Sequence, residues 1–92
     1  MMFDKLQPLY AAPGTGRWFY VLTDWATIRV RGEDTGGAFS IVEQITMPYA
    51  RPPLHTHQFD EVHYILDGEY EYVHADRPAF RAQAGAVIYT PR

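Results

Sequence analysis

The sequence contains no cysteine. That absence removes disulfide frameworks, thiolate zinc sites and thiol nucleophiles together. Positive charge is scarce as well: eight Lys and Arg face eleven Asp and Glu, for a net charge of −3. No basic patch exists to neutralise phosphates, so neither nucleic acid nor an anionic membrane surface is expected as a partner. No apolar run approaches the roughly 20 residues of a membrane span. The opening Met1-Met2-Phe3-Asp4-Lys5-Leu6 has neither a basic leader nor an apolar run of signal-peptide length, and a cytoplasmic location is the expectation. No serine sits in a nucleophile-elbow context and no glycine loop matches a phosphate cradle; Gly14-Thr15-Gly16 reads as a turn. Hydrolase and nucleotide chemistry therefore find little support.

What remains is a chain of 92 residues, 47% hydrophobic and 15% aromatic, enough for one small domain with a modest core. A charged fraction of 21% is too low for a disordered polar tract. Charge is unevenly spread. Residues 1–54 carry five basic and five acidic side chains, residues 55–92 three and six, and all four histidines fall in the acidic part. Imidazoles among carboxylates point to a cation site; a solvated acidic face is the plainer alternative.

Glycine and proline cut the chain into short pieces with no helix-length pattern after residue 16. An irregular arm over 1–16 is expected to precede a β domain over 17–92. Strands are expected at Trp18 to Leu22, Thr27 to Arg31, Ala38 to Met47, Phe59 to Leu66, Glu69 to His74, Phe80 to Ala82 and Ala86 to Thr90. Turns fall at Glu33 to Gly37, Asp67-Gly68 and Asp76-Arg77-Pro78. Alternation supports these assignments: Ile28 and Val30 interleave with Thr27, Arg29 and Arg31, so one face is buried and one wet. About seven short strands with turns every 8 to 12 residues predict an all-β fold, an antiparallel sandwich or barrel.

The chemistry concentrates in His55-Thr56-His57-Gln58-Phe59-Asp60-Glu61-Val62-His63. In extended chain, residues i and i+2 share a face, so His55 and His57 can offer two imidazoles to one ion. Glu61 lies an even number of positions further and returns to that face if the strand continues. Two imidazoles and a carboxylate suit a divalent transition metal, whether iron, manganese, nickel, cobalt, copper or zinc, and leave coordination positions open for chemistry; the plainer alternative is a histidine pair on a polar strand with Glu61 as its salt-bridge partner. His63 shares parity with Glu61 and is the local candidate for a fourth donor, its plainer alternative being a core histidine with one hydrogen bond.

This segment resembles the first motif of the cupin superfamily: His-x-His, three residues, Glu, six residues, Gly, here His55, His57, Glu61 and Gly68. The second motif of that family is matched in its opening, by Gly85, five residues and then Pro91, and is cut short at Arg92. The text Thr35-Gly36-Gly37-Ala38-Phe39 and Val42-Glu43-Gln44 is similar to small bacterial cupins of the quercetin-dioxygenase-like group. The resemblance implies a cupin-like antiparallel β-barrel, or jelly roll, incomplete at the C-terminus. It implies His55, His57 and Glu61 as ligands of a divalent metal, and Glu61 as ligand and base. It also implies a dioxygenase-like or isomerase-like activity on a small oxygenated or aromatic substrate, with dioxygen as a co-substrate. A fragment of a longer chain, or a minimal cupin that covers its open edge as a homodimer, would account for the shortened second motif. A non-catalytic metal- or small-ligand-binding module is the alternative function.

Three further features need a role. Glu43 interrupts the apolar odd positions Phe39, Ile41, Ile45 and Met47, either holding a ligand histidine or wet at a barrel mouth. Tyr70, Tyr72 and His74 form an aromatic stripe on one face of their strand, expected to pack against the other sheet or a partner chain. Trp18, Phe19, Tyr20 and Trp25 form a second aromatic group, expected in the core, with a barrel cap or a dimer contact as the alternatives.

Overall fold

The computed structural model describes residues 5–50, 54 and 56–92, and among these the chain is all-β with antiparallel pairing throughout. Seven strands follow in order: β1 (Phe19–Val21), β2 (Asp24–Val30), β3 (Ile41–Thr46), β4 (Glu61–Tyr64), β5 (Glu69–His74), β6 (Arg77–Gln83) and β7 (Val87–Thr90). They form three sheets, ordered β1-β2-β3, β4-β7 and β5-β6, and no closed barrel is formed among the described residues. The chain divides into two compact units, Met1–Pro52 and Pro53–Arg92.

In the first unit, β1 and β2 meet through a two-residue loop, with Val21 opposite Asp24. Strand β2 starts three residues earlier than its polarity suggests, because Asp24, Trp25 and Ala26 pair with Thr46, Ile45 and Gln44. The Gln44 amide donates to the Asp24 carboxylate at 2.9 Å and holds that polar start in place. The segment read as a turn at Glu33 to Gly37 is a single 3-10 turn, Gly32–Thr35. The Asp34 carboxylate closes it by accepting from the Arg31 backbone N–H at 2.9 Å, and that bond with the Arg31 guanidinium holds the Asp34 pKa below the ordinary carboxylate value.

Among the described residues the arm before β1 carries no strand, and the side chain of Arg29 fastens it to β2. The Arg29 guanidinium donates to the carbonyls of Ala12 at 2.6 Å and Ala11 at 3.2 Å, and also to that of Thr15. Under the arm lies Thr27, fully buried, and Gly16 passes so close that a Cβ there would sit 2.7 Å from the Thr27 Oγ1. With φ at +106°, that position favours glycine on both counts. Glu43 has its partner on the same sheet: Arg29 Nε lies 3.8 Å from its carboxylate. The expected aromatic core of this unit is not formed. Tyr20 and Trp25 touch each other at 5.1 Å between ring centres, yet 59% and 41% of their surfaces remain exposed. A three-stranded sheet with a short arm laid on it has too little chain to cover both faces.

In the second unit, β4 and β7 pair Glu61 with Thr90, Val62 with Tyr89, His63 with Ile88 and Tyr64 with Val87. The core of this unit is Ile65 and Ile88, both buried. Ile65 is fixed by backbone bonds to the turn before β7: Gly85 N–H donates to its carbonyl at 2.8 Å and its own N–H donates to Ala86 O at 3.1 Å. Between β4 and β7 the chain makes the β5–β6 hairpin. There Pro78, read as part of a turn, lies inside β6. The register shifts between Tyr72 and His74, so the ladder is interrupted opposite Pro78, where a missing N–H costs no hydrogen bond.

Candidate functional site

The second unit gathers three of the four expected metal-site residues. His55 lies outside the described residues. His57 sits before β4, Glu61 opens β4, and His63 follows two positions later on the same face. The strand expected from Phe59 to Leu66 is shorter, Glu61–Tyr64, and residues 58 and 59 form a bend, so the condition that extended chain continue from His57 to Glu61 is not met. The bend has an evident local support. The His57 ring lies parallel to Phe59 with centres 4.4 Å apart, and its Nδ1 is 2.8 Å from the Phe59 carbonyl.

That last contact sets the chemistry of His57. A carbonyl oxygen only accepts, so Nδ1 carries the hydrogen, and in the neutral ring Nε2 presents its lone pair. Facing that lone pair is Oε2 of Glu61, at 3.6 Å. A proton on Nε2, making an ion pair, or a cation held between the two would each satisfy this contact. Two donors at 2.0–2.2 Å from a tetrahedrally coordinated ion stand about 3.3–3.6 Å apart, so the spacing has room for a shared ion as well as for an ion pair.

His63 meets the same carboxylate differently. Its Nε2 is 2.7 Å from Oε1 of Glu61, a hydrogen-bond distance and too short for two donors on one ion. Its Nδ1 is 3.0 Å from the Tyr72 hydroxyl. Burial, then the neighbouring Tyr70 phenol and the Glu61 carboxylate, raises the Tyr72 pKa above its ordinary value, so at neutral pH the phenol keeps its proton. The network that satisfies every group has Tyr72 O–H donating to Nδ1 and Nε2–H donating to Glu61. Both nitrogens of His63 are then engaged. Among the described residues no three His, Asp or Glu side chains are grouped to hold one ion. The reason is visible in these distances: His63 binds the carboxylate rather than standing beside it as a further donor.

Tyr72 is the participant that sequence reading assigned only to packing. It belongs to the expected stripe on β5, where Tyr70, Tyr72 and His74 are half-buried and the residues between them exposed. Its ring stacks on Phe80 at 5.4 Å and 12°, and His74 lies parallel to the same Phe80 at 6.0 Å. A half-buried tyrosine needs a partner for its hydroxyl, which is the one signal the sequence held. A separate hollow of about 190 Å³ at Glu69, Arg81, Ala82 and Gln83 shares no residue with this cluster, and its charges are paired internally, Arg81 Nη1 donating to Glu69 at 2.7 Å.

Among the described residues no helix is long and apolar enough to cross a membrane. No protein-family model, curated protein or solved structure matches this chain.

Proposed function

We propose that this chain is a metal-binding β domain of the cupin, jelly-roll kind, in which His57 and Glu61, together with His55, hold a divalent transition metal. The observation that carries the reading is the 3.6 Å approach of His57 Nε2 to Glu61 Oε2, with Nδ1 of the same ring committed to a backbone carbonyl. A ligating histidine whose other nitrogen donates to a carbonyl is the usual device for fixing a metal-binding tautomer. The mixed nitrogen and oxygen set suits iron, manganese, nickel, copper or zinc.

The activity proposed is dioxygenase-like, on a small oxygenated or aromatic substrate with dioxygen as co-substrate. A bound divalent metal would supply Lewis acidity and, in a redox-active form, electrons for oxygen chemistry. The residues supply the rest. Glu61 is the group able to take a proton from a substrate hydroxyl, while His63 holds its Oε1 in place. Phe59, stacked on His57 and 58% exposed, offers an apolar surface beside the donors. A homodimer and a cytoplasmic location belong to the same proposal. The test is oxygen consumption by protein loaded in turn with iron, manganese, nickel and copper, against a panel of dihydroxy-aromatic compounds. Substrate-dependent uptake, lost in Glu61→Gln, is the expected result. Metal binding with no uptake across the panel would reject the oxygenase part and leave a metal-binding module.

A further inference from the structure

Behind the carboxylate the hydrogen bonds run from β4 into the β5–β6 hairpin. The geometry points to Tyr72 as a positioning residue for Glu61, acting through His63. The phenolic hydroxyl occupies Nδ1 of the imidazole, commits its Nε2–H to Oε1, and so leaves Oε2 turned toward His57. This rests on the reading of His57 and Glu61 as cation donors, and it changes the part expected of His63 from fourth donor to intermediary.

Three observations converge. The Tyr72 ring is held flat against Phe80 at 5.4 Å, so its hydroxyl has a fixed location. That hydroxyl is 3.0 Å from His63 Nδ1, and the opposite nitrogen is 2.7 Å from Glu61 Oε1, which places the imidazole between two anchors. His63 lies opposite the buried Ile88 in the β4–β7 register, on the core-facing side of its sheet. Turning an imidazole over about its Cβ–Cγ bond puts carbon where each nitrogen was; a ring bonded at one end loses one bond by it, and a ring bonded at both ends loses two. A carboxylate held through such a ring has one oxygen spoken for, and its second is oriented without any contact to that oxygen itself. Partners of this kind commonly change metal affinity by about 10- to 100-fold.

The experiment uses the metal-free full chain, labelled with nitrogen-15, at about pH 8, where an ordinary histidine is neutral. Long-range imidazole correlations report which nitrogen of each ring carries the proton. Wild-type His63 is expected as a single Nε2–H tautomer. Tyr72→Phe keeps the ring on Phe80 and removes only the hydroxyl; the Glu61 carboxylate, an acceptor only, keeps the proton on Nε2 of His63, while the Nδ1 resonance of His63 is expected to lose the shift given by the phenolic hydrogen bond and His57 to keep its Nδ1–H. Co²⁺ affinity is expected to fall about tenfold in the same variant. In a His63→Gln background, Tyr72→Phe should change Co²⁺ affinity by less than about twofold, because the intermediary is gone. An Nδ1 resonance of His63 unchanged in Tyr72→Phe, Co²⁺ affinity unchanged in that variant, or a proton on Nδ1 of wild-type His63, overturns the proposal. Absence of Co²⁺ binding by the wild type would defeat the metal reading, and the imidazole resonances would still decide the role of Tyr72.

Discussion

Glu61→Gln is expected to weaken binding of divalent metals by on the order of 100-fold or more while leaving the sheets intact. Glutamine keeps the length and shape of the side chain but has one acceptor where glutamate has two. If its oxygen accepts from Nε2–H of His63, as Oε1 does at 2.7 Å, its amide N–H₂ is turned toward His57. The lone pair on Nε2 of His57, 3.6 Å from Oε2 in the native arrangement, would then receive a hydrogen bond and be closed to a metal. Glu61→Gln therefore removes two donors at once. Glu61→Asp should also fail, because a side chain shorter by one methylene cannot serve His57 and His63 together. Isothermal titration with Co²⁺, alongside circular dichroism to check the fold, measures both. Near-native affinity in Glu61→Gln would remove the carboxylate from the account.

The second large effect is on stability. Arg29→Ala is expected to cost about 3 kcal/mol in urea unfolding and to make the arm susceptible to proteolysis near Pro13 to Gly16. The guanidinium is only 16% exposed and serves three carbonyls, those of Ala11, Ala12 and Thr15, besides lying 3.8 Å from Glu43. Without it the arm loses its side-chain anchor, and Thr27 beneath it becomes open to water. Arg29→Lys keeps the charge but presents one nitrogen in place of a planar fork, so it should recover less than half of the loss. A change below about 0.5 kcal/mol in Arg29→Ala would mean that the arm is held by other contacts.

Much of the secondary structure was legible because it follows local chemistry. Strand β5 was read to the residue, since Glu69 to His74 alternates polar and aromatic positions between two turn signals. Boundaries slipped where pairing overrode composition: Asp24 joins β2 through its cross-strand neighbours, and Pro78 enters β6 where the ladder is interrupted. Burial was less legible. Alternation tells which residues share a face and not whether anything lies on that face. Ile28 and Val42, for example, are opposite one another and both about half exposed.

At the candidate site, spacing sufficed to bring His57, Glu61 and His63 together, because all three lie within seven residues. The proximity arises through a bend and a ring stack, features that parity arguments do not contain. The roles were less accessible than the residues. That His57 presents Nε2 depends on a backbone carbonyl two residues away, and that His63 is engaged at both nitrogens depends on Tyr72, nine residues on and in another sheet. Such contacts are set by how the hairpin folds back, and no periodicity encodes them.

The measurement that bears most directly on the account is metal content per chain, by elemental analysis of protein purified without a metal-affinity tag and reconstituted with iron, manganese, nickel, copper or zinc. The account predicts about one equivalent of a divalent metal in the wild type and its loss in His57→Ala. Less than about a tenth of an equivalent after reconstitution, or an equal amount retained by His57→Ala, would contradict it.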